Sequence, residues 1–242
     1  MKKFLISVAI LVAGFGYANA GEVLKFGTNA TYPPFEYIDE NSKVAGFDID
    51  LVNELSKRVD FEYEMINMSF DGLIPALKSG KIDAIVAAMS ATPERKKAVD
   101  FTKPYYHTEN LYILKADNGE VKSKDDLKGK KIGVQLGTAQ EQTSRKLEGV
   151  KTTPTKDIFT SILALKNGKI DAVLVDTSIG YGYLRKNSDL VEFLVEPDGS
   201  EGFSIAFDKD KNNELIAKID AEVEKMKEDG SYEALLKKYE LK

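Results

Sequence analysis

Apolar positions along the chain follow two alternating patterns. Short, nearly continuous apolar runs at residues 23–27, 61–65, 84–88, 131–134, 172–175 and 189–194 predict strands. Between and after them, apolar residues at helical spacing predict helices over 47–58, 70–77, 138–147, 156–166, 213–229 and 231–239. Gly230 breaks the last two helices apart, and Pro75 sits near the start of its helix, where a missing N–H is tolerated. The runs at 84–88 and 172–175 are too continuous for a strand with one wet face, so they read as buried and parallel. Strands alternating with helices predict an α/β fold with helices on both faces of the sheet.

One stretch occurs twice. Residues 76–90, ALKSGKIDAIVAAMS, and 164–178, ALKNGKIDAVLVDTS, share nine of fifteen positions at an offset of 88. Each copy reads as the end of an amphipathic helix, a cap at Gly80 or Gly168, a Lys-Ile-Asp turn and a buried strand. The repeat predicts two lobes of similar α/β design within the 242 residues. Sheets of this kind bind ligands at the carboxyl ends of their strands. The loops that meet this condition are 28–35 and 88–95 in the first lobe, and 137–140 and 176–178 in the second. The cleft between the lobes is therefore the expected binding place.

The N-terminus reads differently from the rest. Lys2 and Lys3 precede an uncharged, mostly apolar run over 4–15, and Ala18-Asn19-Ala20 follows. This is the pattern of a secretory signal peptide, residues 1–20, cleaved after Ala20. The run is too short for a membrane span of about 20 residues. No Cys stands at the cleavage site to take a lipid, so the expected location is a bacterial periplasm.

Composition narrows the chemistry. Hydrophobic residues make up 43% and charged residues 30%, the balance of a soluble globular protein rather than a disordered one. With no Cys, thiol nucleophiles, disulfides, iron–sulfur clusters and Cys-ligated zinc are excluded. A Ser-His-Asp triad would have to use the single His, His107, which has no nucleophile-elbow sequence near it. The net charge of −5 argues against a nucleic-acid partner. Neither a P-loop nor a dinucleotide fingerprint is present, and no cofactor is expected.

What remains is carboxylates, Arg, amides, hydroxyls and aromatic faces. In the first loop, Tyr32 precedes a stiffening Pro pair; it suits either a flat ligand wall or ordinary packing. In the second, Thr92 is an expected N-cap with Pro93 at the first helical position, which puts Arg95 one turn into a helix. A guanidinium beside free helix N–H groups is a carboxylate receptor, although Arg95 also sits in a charged run that suits solvent. In the third, the N–H groups of Gly137-Thr138-Ala139-Gln140 open a helix. In the fourth, Asp176 ends an apolar strand, as an ammonium receptor, a helix N-cap or both. An anion receptor, a cation receptor and an aromatic wall together complement a zwitterion.

Several motifs together resemble the periplasmic amino-acid-binding proteins of ABC importers, the polar amino-acid family (solute-binding protein family 3). They are GTNATYPPFEY (27–37), GFDIDL (46–51), SFDGLIPALKSGKIDAI (69–85), TPERKKAVDFTKPYY (92–106), GVQLGT (133–138) and the GKIDAVLVD run ending at Asp176. The resemblance implies a type II periplasmic-binding-protein fold, two α/β lobes joined by two crossing strands near 111–114 and 202–206. The first lobe would be discontinuous, 21–110 plus 205–242, and the second would span 111–204. It also implies that Arg95 grips the ligand carboxylate with help from the N–H groups around Thr138 and Ala139. Asp176, the Ser90 hydroxyl and the Ala88 carbonyl would receive the ammonium. Tyr32 and Phe70 would sandwich the side chain, with Asn29 and Gln140 near its tip. The implied protein is a monomer that carries an L-amino acid, basic (arginine or lysine) or glutamine, to a permease in the inner membrane. This sequence departs from the family pattern at Asn29, where relatives for basic ligands often carry an acid, and at Ala88 and Ala139. The same fold also hosts exported lyases acting on small carboxylated substrates. Such a reaction needs a carboxyl group held as an acid in the cleft, and Glu94, Glu141 and Glu36 are the available acids beside Asp176.

Overall fold

The computed structural model describes residues 23–241; the expected signal peptide lies outside them. In chain order the strands are Leu24–Thr28 (β1), Thr31–Tyr32 (β2), Glu36–Ile38 (β3), Val44–Ala45 (β4), Tyr63–Asn67 (β5), Ala84–Ile85 (β6), Val99–Phe101 (β7), Glu109–Lys115 (β8), Lys131–Gln135 (β9), Lys151–Thr155 (β10), Ala172–Asp176 (β11), Leu190–Pro197 (β12) and Ala206–Asp208 (β13). The helices are Phe47–Val59 (α1), Leu73–Lys78 (α2), Ala139–Lys146 (α3), Ile158–Lys166 (α4), Thr177–Lys186 (α5), Asn213–Glu228 (α6) and Ser231–Lys238 (α7).

Two five-stranded sheets repeat one plan. The first runs β5-β1-β6-β13-β7 and the second β10-β9-β11-β8-β12. In each, the first three strands are parallel and the fourth is antiparallel to the third. The sequence repeat explains the correspondence. Gly80 and Gly168 close their helices at φ +69° and +64°, a region that a side chain disfavours. The aspartate just before each following strand then reaches sideways: Asp83 Oδ2 accepts from Lys25 N–H at 2.8 Å, and Asp171 Oδ2 from Lys131 N–H at 2.7 Å. Each Lys-Ile-Asp turn thus pins a repeat strand to the parallel strand beside it, β6 to β1 and β11 to β9.

Burial follows the predicted stripes. In α1, Phe47, Leu51, Val52 and Leu55 form the inward face. Phe26, Phe35, Phe47, Phe203 and Phe207 are among the largest side chains with almost no exposure. Where the chain passes between the sheets, Tyr105 N–H donates to Phe203 O at 2.8 Å and Phe203 N–H to Tyr106 O at 2.7 Å. Phe203 stacks on Tyr106 with centroids 5.9 Å apart and meets Phe35 edge-on at 5.3 Å. The expected exit at 111–114 lies inside β8, paired on one side with β11 and on the other with β12. The segments that run side by side between the sheets are Tyr105–Tyr106 and Phe203.

Several elements differ from expectation. The helix expected from 156 begins at Ile158, because Asp157 caps it, accepting from Thr160 N–H at 2.8 Å. The helix over 70–77 splits into a 3₁₀ turn and α2. The helix expected after Pro93 is one 3₁₀ turn, Arg95–Lys97, because the chain enters β7 two residues later. A small antiparallel sheet, β2-β3-β4, was not predicted; its strands of two or three residues are too short to show a period. No helix among the described residues is long and apolar enough to cross a membrane.

Candidate functional site

The four loop ends named from the sequence meet in one cavity between the two sheets. It is lined by Asn29, Tyr32, Phe70, Ala88, Ser90, Arg95, Thr138, Ala139, Gln140 and Asp176, with Glu36, Ala87 and Gln135 in addition. The predicted set is brought together whole, from strand ends and helix starts in both halves of the fold.

Arg95 is 6% exposed. Thr92 Oγ1 accepts from Arg95 N–H at 3.2 Å, the capping contact expected of it even though the turn it opens is short. The guanidinium donates to Ser90 O at 2.8 Å and to Gly137 O at 3.0 Å, and lies 5.4 Å from the Phe70 ring centroid. Burial lowers its pKa to about 10, opposed by Asp176 and Asp198, so Arg95 remains a cation at neutral pH. Both protein acceptors are neutral carbonyls, which leaves the charge available to a carboxylate. Beside it, Thr138 caps α3: its Oγ1 accepts from Glu141 N–H at 3.2 Å and donates to Gln135 O at 2.6 Å. The N–H groups of Ala139 and Gln140, in the first turn, have no acceptor within their own helix. Gly137 permits the approach of the two halves. Its φ is +82°, and a Cβ there would fall 2.8 Å from Asp71 Cα.

Asp176 stands at the N-cap position of α5 but makes no side-chain capping bond. Its Oδ2 accepts from the Tyr32 hydroxyl at 2.5 Å and its Oδ1 from Gln140 Nε2 at 2.8 Å. Burial raises its pKa to about 7, with the Tyr32 bond, Arg95 and Gln140 pulling it down. The carboxyl therefore faces the cavity rather than serving the helix. The Tyr32 contact ties β2 to the end of β11 across the cleft. Ser90 Oγ donates to Asp198 Oδ2 at 3.3 Å, and Ala88 N–H donates to Asp48 Oδ2 at 2.7 Å.

Two residues differ from the arrangement implied by resemblance. Gln140 spends its amide on Asp176 and on Asn110 Oδ1, 3.1 Å away, at the Asp176 side of the cavity. Asn29 donates to Met68 O at 2.8 Å and accepts from Gln135 Nε2 at 2.9 Å and Thr31 Oγ1 at 2.8 Å. Its amide joins the halves of the fold instead of pointing an unengaged group at a ligand tip.

Sequence reasoning passed over Gln135 as a site residue and weighed Glu36 only as an acid beside Asp176. Gln135 is the last residue of β9, so the rule that ligands meet strand carboxyl ends would have found it. Glu36 is 1% exposed, on β3. Of the three acids weighed beside Asp176, Glu94 is paired with Lys97 in an exposed turn. Glu141 is held by Gly137 N–H at 2.6 Å and by Arg145. Glu36 alone lines the cavity, and burial foremost, then Asp48, push its pKa well above the ordinary carboxylate range.

Residues 24–242 match the profile of the bacterial extracellular solute-binding proteins, family 3. The chain belongs to that family. Over its full length it is 45% identical to a probable histidine-binding protein of Campylobacter jejuni, all of which is covered. Among solved structures, an ancestral arginine-binding protein bound to arginine is 41% identical, with a TM-score of 0.83 over 90% of this chain and 97% of that one. The same kind of ancestral protein bound to glutamine matches at 41% identity and TM-score 0.82, with the same coverage of both chains. These matches establish the two-lobed type II solute-binding fold.

Proposed function

We propose that this family 3 solute-binding protein captures an L-amino acid with a long polar side chain, basic first and glutamine second, and presents it to an ABC permease. The observation that carries the reading is the placement of Arg95 and Asp176 in one cavity with Glu36. Arg95 and the first N–H groups of α3 receive the α-carboxylate; Asp176, with the Ser90 hydroxyl and the Ala88 carbonyl, receives the α-ammonium. Tyr32 and Phe70 wall the side chain, and Glu36 is the acid that meets a cationic end. This supplies the negative group that Asn29 lacks. Relatives whose names specify histidine or arginine, and the glutamine-bound ancestor, support a polar side chain.

In this reading the lobes divide at the crossings Tyr105–Tyr106 and Phe203, not at 110 and 205, so β8 belongs whole to the second lobe. They close on the ligand, and the permease reads the closed form. The protein works as a periplasmic monomer after loss of residues 1–20. The same cavity acid, Glu36, meets the requirement set by the lyase alternative, so binding and turnover must be separated. Calorimetric titration of refolded protein with arginine, lysine, histidine, glutamine and glutamate tests the ligand class. A basic amino acid should bind with micromolar affinity or better, about −8 kcal/mol, and mass spectrometry should recover it unchanged. Tight binding of glutamate, or chemical conversion of the ligand, would contradict the proposal.

A further inference from the structure

The acid that faces the ligand is not isolated. Glu36 and Asp48, the latter in the first turn of α1, are both buried; Asp48 N–H donates to Phe35 O at 3.0 Å, which sets Asp48 against the Glu36 segment, and after burial Asp48 is the neighbour that most raises the Glu36 pKa. One oxygen of each, Glu36 Oε2 and Asp48 Oδ1, finds no N–H or O–H donor among the described residues. The other Asp48 oxygen, Oδ2, is taken by Ala88 N–H at 2.7 Å and the Tyr105 hydroxyl at 2.9 Å. Two neighbouring buried carboxyl groups with no cation beside them do not both ionise, so one proton stays in the pair. Asp48, already served by two donors, is the better site for the negative charge, which leaves the proton on Glu36.

The surroundings favour that state. Tyr32 from β2, Tyr105 after β7, Tyr232 from α7 and Asp176 at the end of β11 face the pair, and none is a cation. Arg95 is the one cation among the described residues lining the cavity, and its guanidinium is bonded toward Ser90 and Gly137. Burial keeps Glu36 well above the usual carboxylate range and holds Asp48 at about 7.

We infer that the Glu36–Asp48 pair is a proton-linked selector of the ligand side chain. With its proton the pair presents the neutral Glu36 carboxyl, whose oxygen accepts from an amide N–H; without it, a carboxylate that accepts a cation. A cationic side chain arriving at Glu36 displaces the proton, which leaves to solvent, and the carboxylate–cation contact replaces it. Charge is conserved in the site: one positive charge enters and one proton departs. A neutral amide ligand enters with the proton kept. Discrimination between the two ligand classes then depends on pH, with the basic ligand gaining up to tenfold in relative affinity per pH unit while the pair still holds its proton. The α-ammonium meets Asp176 in both cases, so protons lost there cancel in the comparison.

This selector rests on the proposed ligand class, and the test separates the two. Refolded protein is titrated calorimetrically with L-arginine and with L-glutamine at pH 7, each in phosphate and in Tris, whose ionisation enthalpies differ. The buffer dependence of the binding enthalpy counts protons released. Arginine should release about one proton more than glutamine, following the linkage relation. Repeating the titrations from pH 6 to 8 should show arginine gaining on glutamine as pH rises. Glu36→Gln, which mimics the protonated acid and keeps a donor toward Asp48, should abolish the difference in proton count. It should weaken arginine at least about tenfold. The wild-type proton count decides the matter even if the variant folds poorly. Tight arginine binding with the same proton count as glutamine would overturn the selector and leave the ligand class standing. Failure of arginine to bind at any pH would overturn both.

Discussion

Removing the Arg95 guanidinium should weaken every amino-acid ligand by the same factor. The side chain is buried, cationic at neutral pH, and positioned by two neutral carbonyls, Ser90 O and Gly137 O. In Arg95→Ala the ligand carboxylate enters a dry cavity without its counter-charge, and breaking such a buried pair costs about 3–5 kcal/mol. At about 1.4 kcal/mol per factor of ten, this is roughly 150- to 5,000-fold in affinity. The bond to Gly137 O is lost as well, so closure itself loses a contact and the effect belongs at the upper end. Arg95→Lys should recover little, because an ammonium cannot grip both carboxylate oxygens in one plane. The assay is calorimetry of refolded variants with arginine, histidine and glutamine in parallel, with thermal melts to establish folding. An affinity within threefold of wild type would refute the placement. So would a loss confined to one ligand, since the carboxylate is common to all.

Gly137→Ala should impair closure: the added Cβ meets the Asp71 backbone and the residue is held at positive φ, a strain of about 1–3 kcal/mol, seen as an affinity loss of about fivefold or more. Phe203→Ala removes the ring packed on Tyr106 and Phe35 between the sheets and should cost about 3–5 kcal/mol, read as a fall in melting temperature of roughly 10 °C. The ligand-free protein should lose stability as pH rises from about 4 to 7, because Glu36, Asp48 and Asp176 keep protons in the folded state that the unfolded chain releases. Melts at pH 5 and pH 7 check the sign, and Glu36→Gln should shrink the difference. Below pH 4 the slope should reverse, since Asp208 and Asp229, held at about 2 by their partners, lose those bonds on protonation.

The site was legible where strand ends carry it. Each of the four loops follows a strand or repeat motif visible in the chain, and the rule for open α/β sheets places their residues together. The duplicated Lys-Ile-Asp run revealed the two-sheet plan because the same aspartate makes the same backbone contact in both copies. Glu36 was harder to see. It sits in a three-residue strand of a small sheet, beside a Pro pair, where no period can separate a buried acid from an exposed one. β10 was missed because Thr-rich sequence with Pro154 reads as loop, yet β10 is an edge strand, where Pro costs no interior ladder bond. Asn29 was legible as a site residue but not in its role: its amide orientation is set by Met68 O and Gln135, partners 39 and 106 positions away.

The central claim concerns the orientation of a zwitterion between Arg95 and Asp176, and a crystal structure of the refolded protein saturated with L-arginine measures it directly. The α-carboxylate should lie within about 3 Å of the Arg95 guanidinium and of the N–H groups of Ala139 or Gln140. The α-ammonium should contact Asp176, and the side-chain guanidinium should reach Glu36. A ligand bound outside this cavity, or seated in reverse with its carboxylate away from Arg95, would contradict the account.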